Sequence, residues 1–432
     1  MDEHTYDVVV VGGGFAGVAA ARTAAQRGLH VLLIDSNPFH QFQPLLYQVA
    51  TSQLSVAAVA RPLRSIFRRR PRVQLRIARV TAIDLTDHAV TTSDGAMFRG
   101  RSLVVAVGAE PNFFDTPGAK QHAYPLYSVA DATALASRLL GLIDGATSGE
   151  TAQPFDIVVV GGGPTGVETA GAIAENLDYV VSRYVSPDFA ASCTVHLVDM
   201  VDHVLTPFSV PSQQYAQRRL KKVGVKLKLG SGVTAVTEHG VSLADGTTID
   251  TPVVVWAGGL KGSALLAESG LPVGRGGRVD VAPDLSVPGF ERVYALGDAA
   301  NIPGPDGTPL PQLGSVAQQA GAWAGRNVHA ELSGAQPTPF AYRDKGIMAM
   351  IGRGAAVAEL GRRRRGLRGP LAFAAWLVVH VMLLSGVPQR VSAIVSWAWD
   401  YFTHRRPHVV VYRPEEYARG HLATARSGGG TG

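Results

Sequence analysis

The chain has 432 residues, enough for two or three domains with large buried cores. Its 49 glycines and only 17% charged residues describe a compact, turn-rich chain and exclude an intrinsically disordered one. A net charge of +6 is too small to favour a nucleic-acid partner. The single cysteine, Cys193, excludes an internal disulfide and a C-x-x-C pair, and we expect it to be a buried structural thiol.

The first predicted element is an apolar strand, residues 6–11, which runs directly into a glycine-rich turn and a helix over residues 15–27. The turn is a G-x-G-x-x-G motif formed by Gly12, Gly14 and Gly17. Such glycines let the backbone approach a pyrophosphate, and the N–H groups of the helix N-terminus bind its charge. The strand that follows ends in Asp35, which either binds an adenosine ribose or serves only as a turn residue.

The same arrangement returns 149 residues later, at Gly161, Gly163 and Gly166. Asp-Gly turns follow each copy, at residues 94–95 and 245–246, so a whole nucleotide-binding unit is duplicated and two nucleotides are expected. The alternative is that the glycines serve only strand–helix packing. The second acid, Asp199, lies farther from its glycines than the usual ~20 residues, which predicts a longer helix or an insertion between them.

Two further segments carry candidate functional residues. Residues 37–51 are apolar and aromatic but are interrupted by prolines, so they form either a plug in the core or the lining of a cavity. Asp298 follows a short strand, where it could bind a sugar hydroxyl or form a common turn. A helix predicted over residues 315–332 carries adjacent amides at positions 318 and 319, at least one of which should point inward.

The C-terminal part predicts two short apolar helices. Residues 371–384 carry no formal charge and, at 14 residues, are shorter than the about 20 that cross a bilayer. Residues 391–402 present apolar side chains on one helical face. Aromatic and basic residues surround both helices: Trp376, Trp397, Trp399, the run Arg362 to Arg365, Arg405 and Arg406. We therefore predict an anchor on an anionic lipid surface over residues 362–406, with a homodimer interface or late core helices as the alternative. His380 should be a satisfied interior histidine and no metal ligand, and no metal site is predicted.

Together these motifs resemble the two-dinucleotide flavoprotein superfamily and, within it, the type II NADH dehydrogenases that reduce quinones at a membrane. The more specific matching segments are residues 37–51, 161–175, 253–259, 295–300, 317–321 and 342–353. The resemblance implies an α/β fold with two Rossmann-like (glutathione-reductase-type) dinucleotide-binding domains and a C-terminal helical membrane-association region. The expected parts are residues 1–115 with 255–338 for FAD, 116–254 for NADH, 339–415 for the membrane and 416–432 as a disordered tail.

The resemblance also implies which residues bind each ligand. For FAD these are Gly12, Gly14, Phe15, Ala16, Gly17, Asp35, Gly108, Asp298 and Ala299. For NADH they are Gly161, Gly163, Pro164, Thr165, Gly166, Glu168, Asp199 and Gly258. For the quinone they are Ala317, Gln318 and Gln319. Asp35 and Asp199 would bind ribose and Asp298 the ribityl chain. No arginine adjoins Asp199 to receive a 2′-phosphate, so NADH should be preferred over NADPH.

Glu168 and Gln318 are the candidate catalytic residues. Glu168 is expected on the first helical turn, where the helix dipole favours its ionised form, and it would handle a proton or the cofactor, unless it only caps the helix. The chain departs from the family pattern at residues 106–108, where Ala-Val-Gly stands for the more usual Ala-Thr-Gly, so Val107 removes a hydroxyl near the flavin. Lys345 occurs in only part of the family and receives no catalytic role.

The resemblance implies a peripheral enzyme on the cytoplasmic face of the plasma membrane. It would transfer a hydride from NADH to FAD and then two electrons to a quinone, without pumping protons. One cysteine cannot form the electron-relaying pair of disulfide reductases and sulfide:quinone reductases. The remaining alternatives are a soluble NADH-dependent reductase with a ferredoxin-type or small-molecule acceptor, and a flavin-bearing redox sensor read by a partner protein.

Overall fold

The computed structural model describes residues 5–150, 153–361 and 364–410. The predicted disordered tail at residues 416–432 lies outside the described residues, as do Arg362 and Arg363 of the basic run.

The first nucleotide-binding unit is built on a seven-stranded sheet with the order β5-β2-β1-β8-β7-β6 and a seventh strand beside β8. In chain order its first elements are β1 (Thr5–Val11), α1 (Phe15–Gln26), β2 (Val31–Asp35), β3 (Phe39–Gln41), α2 (Leu46–Ala50), α3 (Val56–Val59), β4 (Ala60–Pro62), α4 (Leu63–Phe67), β5 (Val73–Ile77), β6 (Val80–Asp84), β7 (Ala89–Thr92), β8 (Met97–Val105) and β9 (Ala109–Pro111). β1 pairs in parallel with β2 and β8, and its valines are buried because both sheet faces are covered.

The second unit has a five-stranded parallel sheet with the order β10-β17-β11-β12-β13. Its elements are α5 (Ala119–His122), β10 (Ala123–Pro125), α6 (Val129–Ser148), β11 (Asp156–Val160), α7 (Pro164–Asn176), α8 (Ser182–Tyr184), α9 (Pro187–Ser192), β12 (Thr194–Asp199), α10 (Val210–Lys222), β13 (Val225–Leu229), β14 (Val233–Val236), β15 (Gly240–Leu243), β16 (Thr248–Asp250) and β17 (Val253–Trp256). A π-helical turn, Leu177–Val181, joins α7 to α8. The predicted insertion before Asp199 is therefore confirmed as this turn with α8 and α9.

The chain then returns to the first unit through β18 (Leu260–Gly262), α11 (Ala264–Glu268), β19 (Val279–Asp280), β20 (Val293–Ala295), β21 (Ala300–Asn301) and α12 (Gly314–Leu332). β18 pairs with β9, and β20 is the strand beside β8. α12 packs closely along α1 because it presents glycines there. A Cβ on Gly321 would lie 2.1 Å from the carbonyl oxygen of Ala16.

A three-stranded antiparallel sheet and two helices complete the described chain. They are β22 (Gly346–Gly352), β23 (Ala355–Leu360), β24 (Arg365–Gly369), α13 (Pro370–Leu383) and α14 (Val387–Thr403). β22 lies directly on α7, where a Cβ on Gly171 would be 2.2 Å from the carbonyl oxygen of Ile351. Within the described residues, no helix combines the length and the apolar character needed to cross a membrane.

Candidate nucleotide sites and a C-terminal cavity

The two glycine motifs fold into the same backbone cradle. The first glycine of each has a positive φ, +104° at Gly12 and +107° at Gly161. A Cβ would lie 2.2 Å from the carbonyl oxygen of Ala106 in the first cradle and 2.4 Å from that of Ala257 in the second. Only glycine fits either position, because both the backbone angle and the neighbouring strand exclude a side chain. The duplication seen in the sequence is thus also a duplication of geometry.

The second and third glycines of each cradle differ in the space available for a side chain. A Cβ on Gly17 or Gly166 would lie 1.8 Å from the carbonyl oxygen of the first glycine, which fixes the tight turn. A Cβ on Gly14 or Gly163 would meet nothing within 4 Å. These two residues are the N-caps of α1 and α7, and neither helix has a side-chain cap. Open space beside uncapped N–H groups fits a pyrophosphate in both cradles.

The predicted ribose-binding acids lie beside these turns. Asp35 accepts a hydrogen bond from the Gly13 N–H at 2.5 Å. Asp199 accepts one from the Gly162 N–H and one from the Val201 N–H, the latter at 2.9 Å. Burial raises the pKa of Asp35, while backbone N–H groups oppose that rise. Each acid therefore also stabilises its glycine turn, so the structure combines the turn role with a position suited to ribose.

Asp298 lies in a 3-10 turn, Gly297–Ala299, at the end of β20, and its surroundings include a residue that sequence reasoning missed. Tyr127 Oη donates to Asp298 Oδ2 at 3.1 Å and accepts a hydrogen bond from the Ala109 N–H at 3.2 Å. A Cβ on Gly108 would lie 3.1 Å from the same hydroxyl. Burial raises the pKa of Asp298, although Tyr127 and Arg278 act against it. The sequence signal at Tyr127 was only its place just before a capping box.

Two other predicted first-cradle residues, Ala16 and Ala299, lie beside Gly297. Its Cβ would lie 3.1 Å from the Cβ of Ala16 and 3.5 Å from that of Ala317, while Ala299 is buried in the same turn. The Phe15 ring packs edge-on against His40, with centroids 5.0 Å apart.

In the second cradle, Pro164 and Thr165 open the first turn of α7, and Gly258 faces the Trp256 indole. The predicted nucleotide-binding residues of this unit thus meet at one end of its sheet, where β11 and β17 run in parallel.

Glu168 corrects an expectation from the sequence. It lies beyond the first turn of α7 and is buried, with Oε1 accepting a hydrogen bond from the Met350 N–H at 3.0 Å. Burial raises the pKa of Glu168 to about 8, although the Met350 N–H and the nearby Trp376 indole lower it. The expected place on the first helical turn is therefore wrong, and the loss of hydration on burial raises the pKa where the helix dipole was expected to favour the ionised form.

The aromatic segment at residues 37–51 both fills the core and lines a cavity. Most of its apolar side chains are buried in the core. Tyr47 Oη donates to the Met350 sulfur at 3.4 Å and accepts a hydrogen bond from Gln48 Nε2 at 3.0 Å. Trp397 Nε1 on α14 donates to Gln48 Oε1 at 2.7 Å, which ties this segment to the C-terminal helices.

The cavity lies between α13, α14 and the nucleotide-binding core and has a volume of about 710 Å³. Its walls are apolar and include Phe373, Leu377, Val381 and Ile394. Its polar lining residues include Gln48, Gln53, Glu175, Arg353 and Asp400. This combination suits an amphiphile with an apolar body and a polar head.

The predicted quinone residues do not line this cavity. Gln319 forms two hydrogen bonds with the backbone of Arg343, both at 3.1 Å. Gln318 is half-buried, and Ala317 packs toward the first cradle. Of the two amides, Gln319 therefore holds a loop, and Gln318 is not among the residues that line the cavity.

Arg406 also differs from expectation, because its side chain is fully buried and cannot face lipid. Its guanidinium pairs with Glu175 Oε2 at 3.0 Å and Asp400 Oδ2 at 2.7 Å, and donates to Asn176 Oδ1 at 2.6 Å. It also lies over the Tyr179 ring, 5.5 Å from the centroid. This buried ion cluster, Arg406 with Glu175 and Asp400, fastens the segment after α14 to α7.

The helices α13 and α14 leave an apolar face exposed. Its larger side chains are Leu371, Val378, Met382, Val387, Val391, Ile394, Val395 and Phe402. Of the three tryptophans predicted to belong to the lipid anchor, Trp399 is half exposed but Trp376 is fully buried. Trp376 stacks on His380, with centroids 3.8 Å apart, and thus belongs to the core.

The expectations for His380 and Cys193 agree with the structure. His380 Nδ1 donates to the Trp376 carbonyl at 2.8 Å, and burial lowers its pKa to about 4, so the ring is neutral near pH 7. Across the described residues, no three His, Cys, Asp or Glu side chains gather as a metal site. Cys193 is buried beside β12.

The fold and the paired cradles define a protein with two dinucleotide-binding units, and comparison with known proteins gives its family. Residues 6–321 match the family described as pyridine nucleotide-disulphide oxidoreductase. The chain is 35% identical to type II NADH:quinone oxidoreductase Ndh of Mycobacterium tuberculosis, over 96% of this chain and 92% of that protein. It is 34% identical to type II NADH:quinone oxidoreductase NdhA of the same organism, over 95% of this chain and 90% of that protein. The chain belongs to the pyridine nucleotide-disulphide oxidoreductases and, within them, to the type II NADH:quinone oxidoreductases.

A solved structure shows the same fold. NDH2 from Plasmodium falciparum, in complex with NADH, matches with a TM-score of 0.84 over 93% of this chain and 99% of that chain, at 18% identity. The family, the fold class and the enzyme class predicted from the sequence are thus confirmed.

Proposed function

We propose that this chain is a peripheral membrane enzyme that oxidises NADH through bound FAD and reduces a quinone. The observation that supports this proposal most is the pair of glycine cradles. Each has free space beside its second glycine, Gly14 or Gly163, and close backbone contacts at its first and third glycines. FAD would occupy the first cradle, with Asp35 on its ribose and Asp298 on its ribityl chain. NADH would occupy the second, with Asp199 on its ribose. Bound FAD would supply the redox chemistry by taking two electrons from NADH and passing them to the quinone.

The quinone would enter through the cavity between α13 and α14. The apolar walls of the cavity adjoin the exposed apolar face of the two helices. The cavity is also lined by Gln48 and Met350, and the Met350 N–H donates a hydrogen bond to Glu168. Glu168 holds a proton near neutral pH, since burial raises its pKa to about 8. It would therefore donate or relay a proton as the quinone is reduced. Gln318 and Gln319 would then act on the flavin side of this route.

The protein would attach to the membrane through the exposed apolar face of α13 and α14. It would lie on the cytoplasmic side of the plasma membrane. Short apolar helices with exposed Trp399 and Phe402 suit an interfacial position, where they lie in the headgroup region. A second copy of the chain covering this face is the competing explanation, and sedimentation without membranes would detect it.

The test is an absorption spectrum followed by two additions. Purified protein should show a flavin spectrum, NADH should bleach it without oxygen, and a short-chain quinone should restore it. Bleaching without reoxidation by any quinone would contradict the quinone proposal and favour a ferredoxin-type acceptor or a redox sensor. A colourless protein that takes up no FAD would contradict the assignment of the first cradle.

Replacing Asp199 tests the NADH assignment. Asp199→Asn keeps one acceptor oxygen where the carboxylate accepts from the Gly162 N–H at Oδ2 and the Val201 N–H at Oδ1, and it removes the charge that would bind ribose and repel a 2′-phosphate. We expect kcat/KM for NADH to fall about tenfold and that for NADPH to fall less or rise, since a charged hydrogen bond contributes about 1.5–3 kcal/mol. The control is Asp202→Asn, whose carboxylate is exposed. An equal fall with both coenzymes would argue for a purely structural Asp199.

Glu168→Gln should change the pH dependence of both activity and stability. The wild-type rate of quinone reduction should fall as pH rises through about 8, where Glu168 loses its proton, and the variant should lack this fall. For stability, the unfolded chain ionises Glu168 near pH 4.5 but the folded chain does so near 8. The wild type should therefore lose stability across that interval relative to Glu168→Gln, by an amount on the order of 4–5 kcal/mol.

Unfolding by denaturant between pH 5 and about 9 measures this difference, with exposed Glu238→Gln as the control. A constant difference between wild type and Glu168→Gln across the range would show that Glu168 is already ionised.

A further inference from the structure

Three arginines of the first nucleotide-binding unit lie near one another, and one of them contacts the turn between α13 and α14. They are Arg22 on α1, Arg61 on β4 and Arg70 after α4, here called the arginine corner. Arg61 Nη1 donates to Ser385 Oγ at 2.8 Å, and its side chain also lies against Gly386. Burial lowers the pKa of Arg22, and the nearby positive charges of Arg70 and Arg61 lower it further. Through Arg61 the corner thus contacts the C-terminal helices.

Positive charge at this corner is not balanced by an ion pair among the described residues. Across residues 5–150, 153–361 and 364–410, no carboxylate forms an ion pair with Arg22, Arg61 or Arg70. Three neighbouring cations without a partner repel one another, and a bound anion would relieve that repulsion. Guanidinium groups are well suited to phosphate, because their planar N–H groups match two of its oxygens.

The same turn is also apolar. Met382, Leu383 and Val387 are exposed around it, with Val387 69% exposed. Arg390 donates to the carbonyls of Leu384 at 2.9 Å and Met382 at 3.0 Å, which adds a fourth cation beside these side chains. An occupant that satisfies both features needs a negative charge next to a long apolar chain. An anionic phospholipid has this combination, whereas a soluble anion would leave the apolar tip exposed to water.

We propose that the arginine corner binds the phosphate of an anionic glycerophospholipid whose acyl chains lie along Met382 and Val387 at the tip of the α13–α14 pair. This inference rests on the proposed membrane attachment and adds to it a headgroup site contributed by the first nucleotide-binding unit. The headgroup part of the site lies outside the cavity between α13 and α14, whose lining includes Met382 but none of the three arginines. It would fix how the nucleotide-binding units are oriented over the bilayer.

The experiment compares vesicle binding of the full-length flavoprotein with that of Arg22→Gln/Arg70→Gln. Neither side chain makes a hydrogen bond within the described residues, so the fold should be retained. Vesicles contain either phosphatidylcholine alone or an equal mixture with phosphatidylglycerol. Because each cation near an anionic surface contributes about fivefold in affinity, the double variant should bind the mixed vesicles about 25-fold more weakly. Its binding to neutral vesicles should not change.

The matched control removes two charges elsewhere. Lys120→Gln/Lys226→Gln changes two exposed lysines of the second unit and should change binding by no more than about twofold. Arg61→Gln is a second test variant, with an expected loss of about fivefold. Without vesicles, NADH oxidation with a short-chain quinone should be unchanged in all variants. Equal losses in the arginine and lysine variants would overturn the site, because general surface charge would explain both.

Two other results would also overturn it. If Arg22→Gln/Arg70→Gln loses flavin in the absence of vesicles, the arginines serve the cofactor and not a lipid. If inorganic phosphate releases the protein from mixed vesicles at an ionic strength where chloride does not, the corner recognises the free anion. Full binding of the double variant to mixed vesicles removes the headgroup site but keeps the membrane attachment. Failure of the wild type to bind any vesicle removes the attachment itself and the headgroup site with it.

Discussion

Gly14→Val should give a folded protein that no longer retains FAD, while Gly163→Val should retain FAD but react poorly with NADH. Both glycines have backbone angles that other residues can adopt, and a Cβ at either meets no protein atom within 4 Å. The added side chain would therefore disturb only the space needed by a pyrophosphate. We expect affinity for the affected nucleotide to fall at least about 100-fold, equivalent to about 2.7 kcal/mol.

The two variants are each other's control. The ratio of absorbance at the flavin band to that at 280 nm gives FAD content, and anaerobic NADH titration gives affinity for NADH. Thermal unfolding of the flavin-free proteins should agree between wild type and variants. Loss of FAD from Gly163→Val as well as from Gly14→Val would mean that the cradles are not independent sites, or that their ligands are exchanged.

Arg406→Leu should be the most destabilising single change among the charged residues discussed. It would leave Glu175 and Asp400 buried without their cation, and burial already raises the pKa of Asp400. Breaking a buried pair in this way costs about 3–5 kcal/mol. The C-terminal helices should also come away from α7, since Arg406 donates to Asn176 there. Denaturant unfolding and limited proteolysis after α14 would measure both effects.

A compensated variant separates charge from packing. Arg406→Leu with Glu175→Gln and Asp400→Asn removes the uncompensated charges, so it should recover most of the lost stability. Arg101→Leu is the control, because its pair with Asp7 is partly exposed and contributes no more than about 1 kcal/mol. A triple variant as unstable as Arg406→Leu would show that the guanidinium stabilises mainly through packing, over Tyr179 and against α7.

The burial of Glu168 illustrates where sequence reasoning reached its limit. The motif predicted that Glu168 lies on α7, but it placed the residue on the first turn, where the helix N-terminus favours an anion. The pKa depends instead on β22, whose Met350 lies 182 positions away and covers the carboxyl group. Tyr127 is a similar case, because only the packing of α6 against the first unit brings its hydroxyl to Asp298.

The sequence by itself determined the two strand–glycine–helix cradles, their duplication, the acids at the ends of β2 and β12, and the apolar C-terminal helices. These are local patterns, in which a few adjacent residues fix the backbone angle, the turn and the exposed helix end. The tertiary structure alone decided that Arg406 is buried, that Arg61 reaches the α13–α14 turn and that Glu168 keeps its proton near neutral pH. The physical reason is that hydration and ion pairing depend on which distant segments cover a side chain, and no local spacing encodes that.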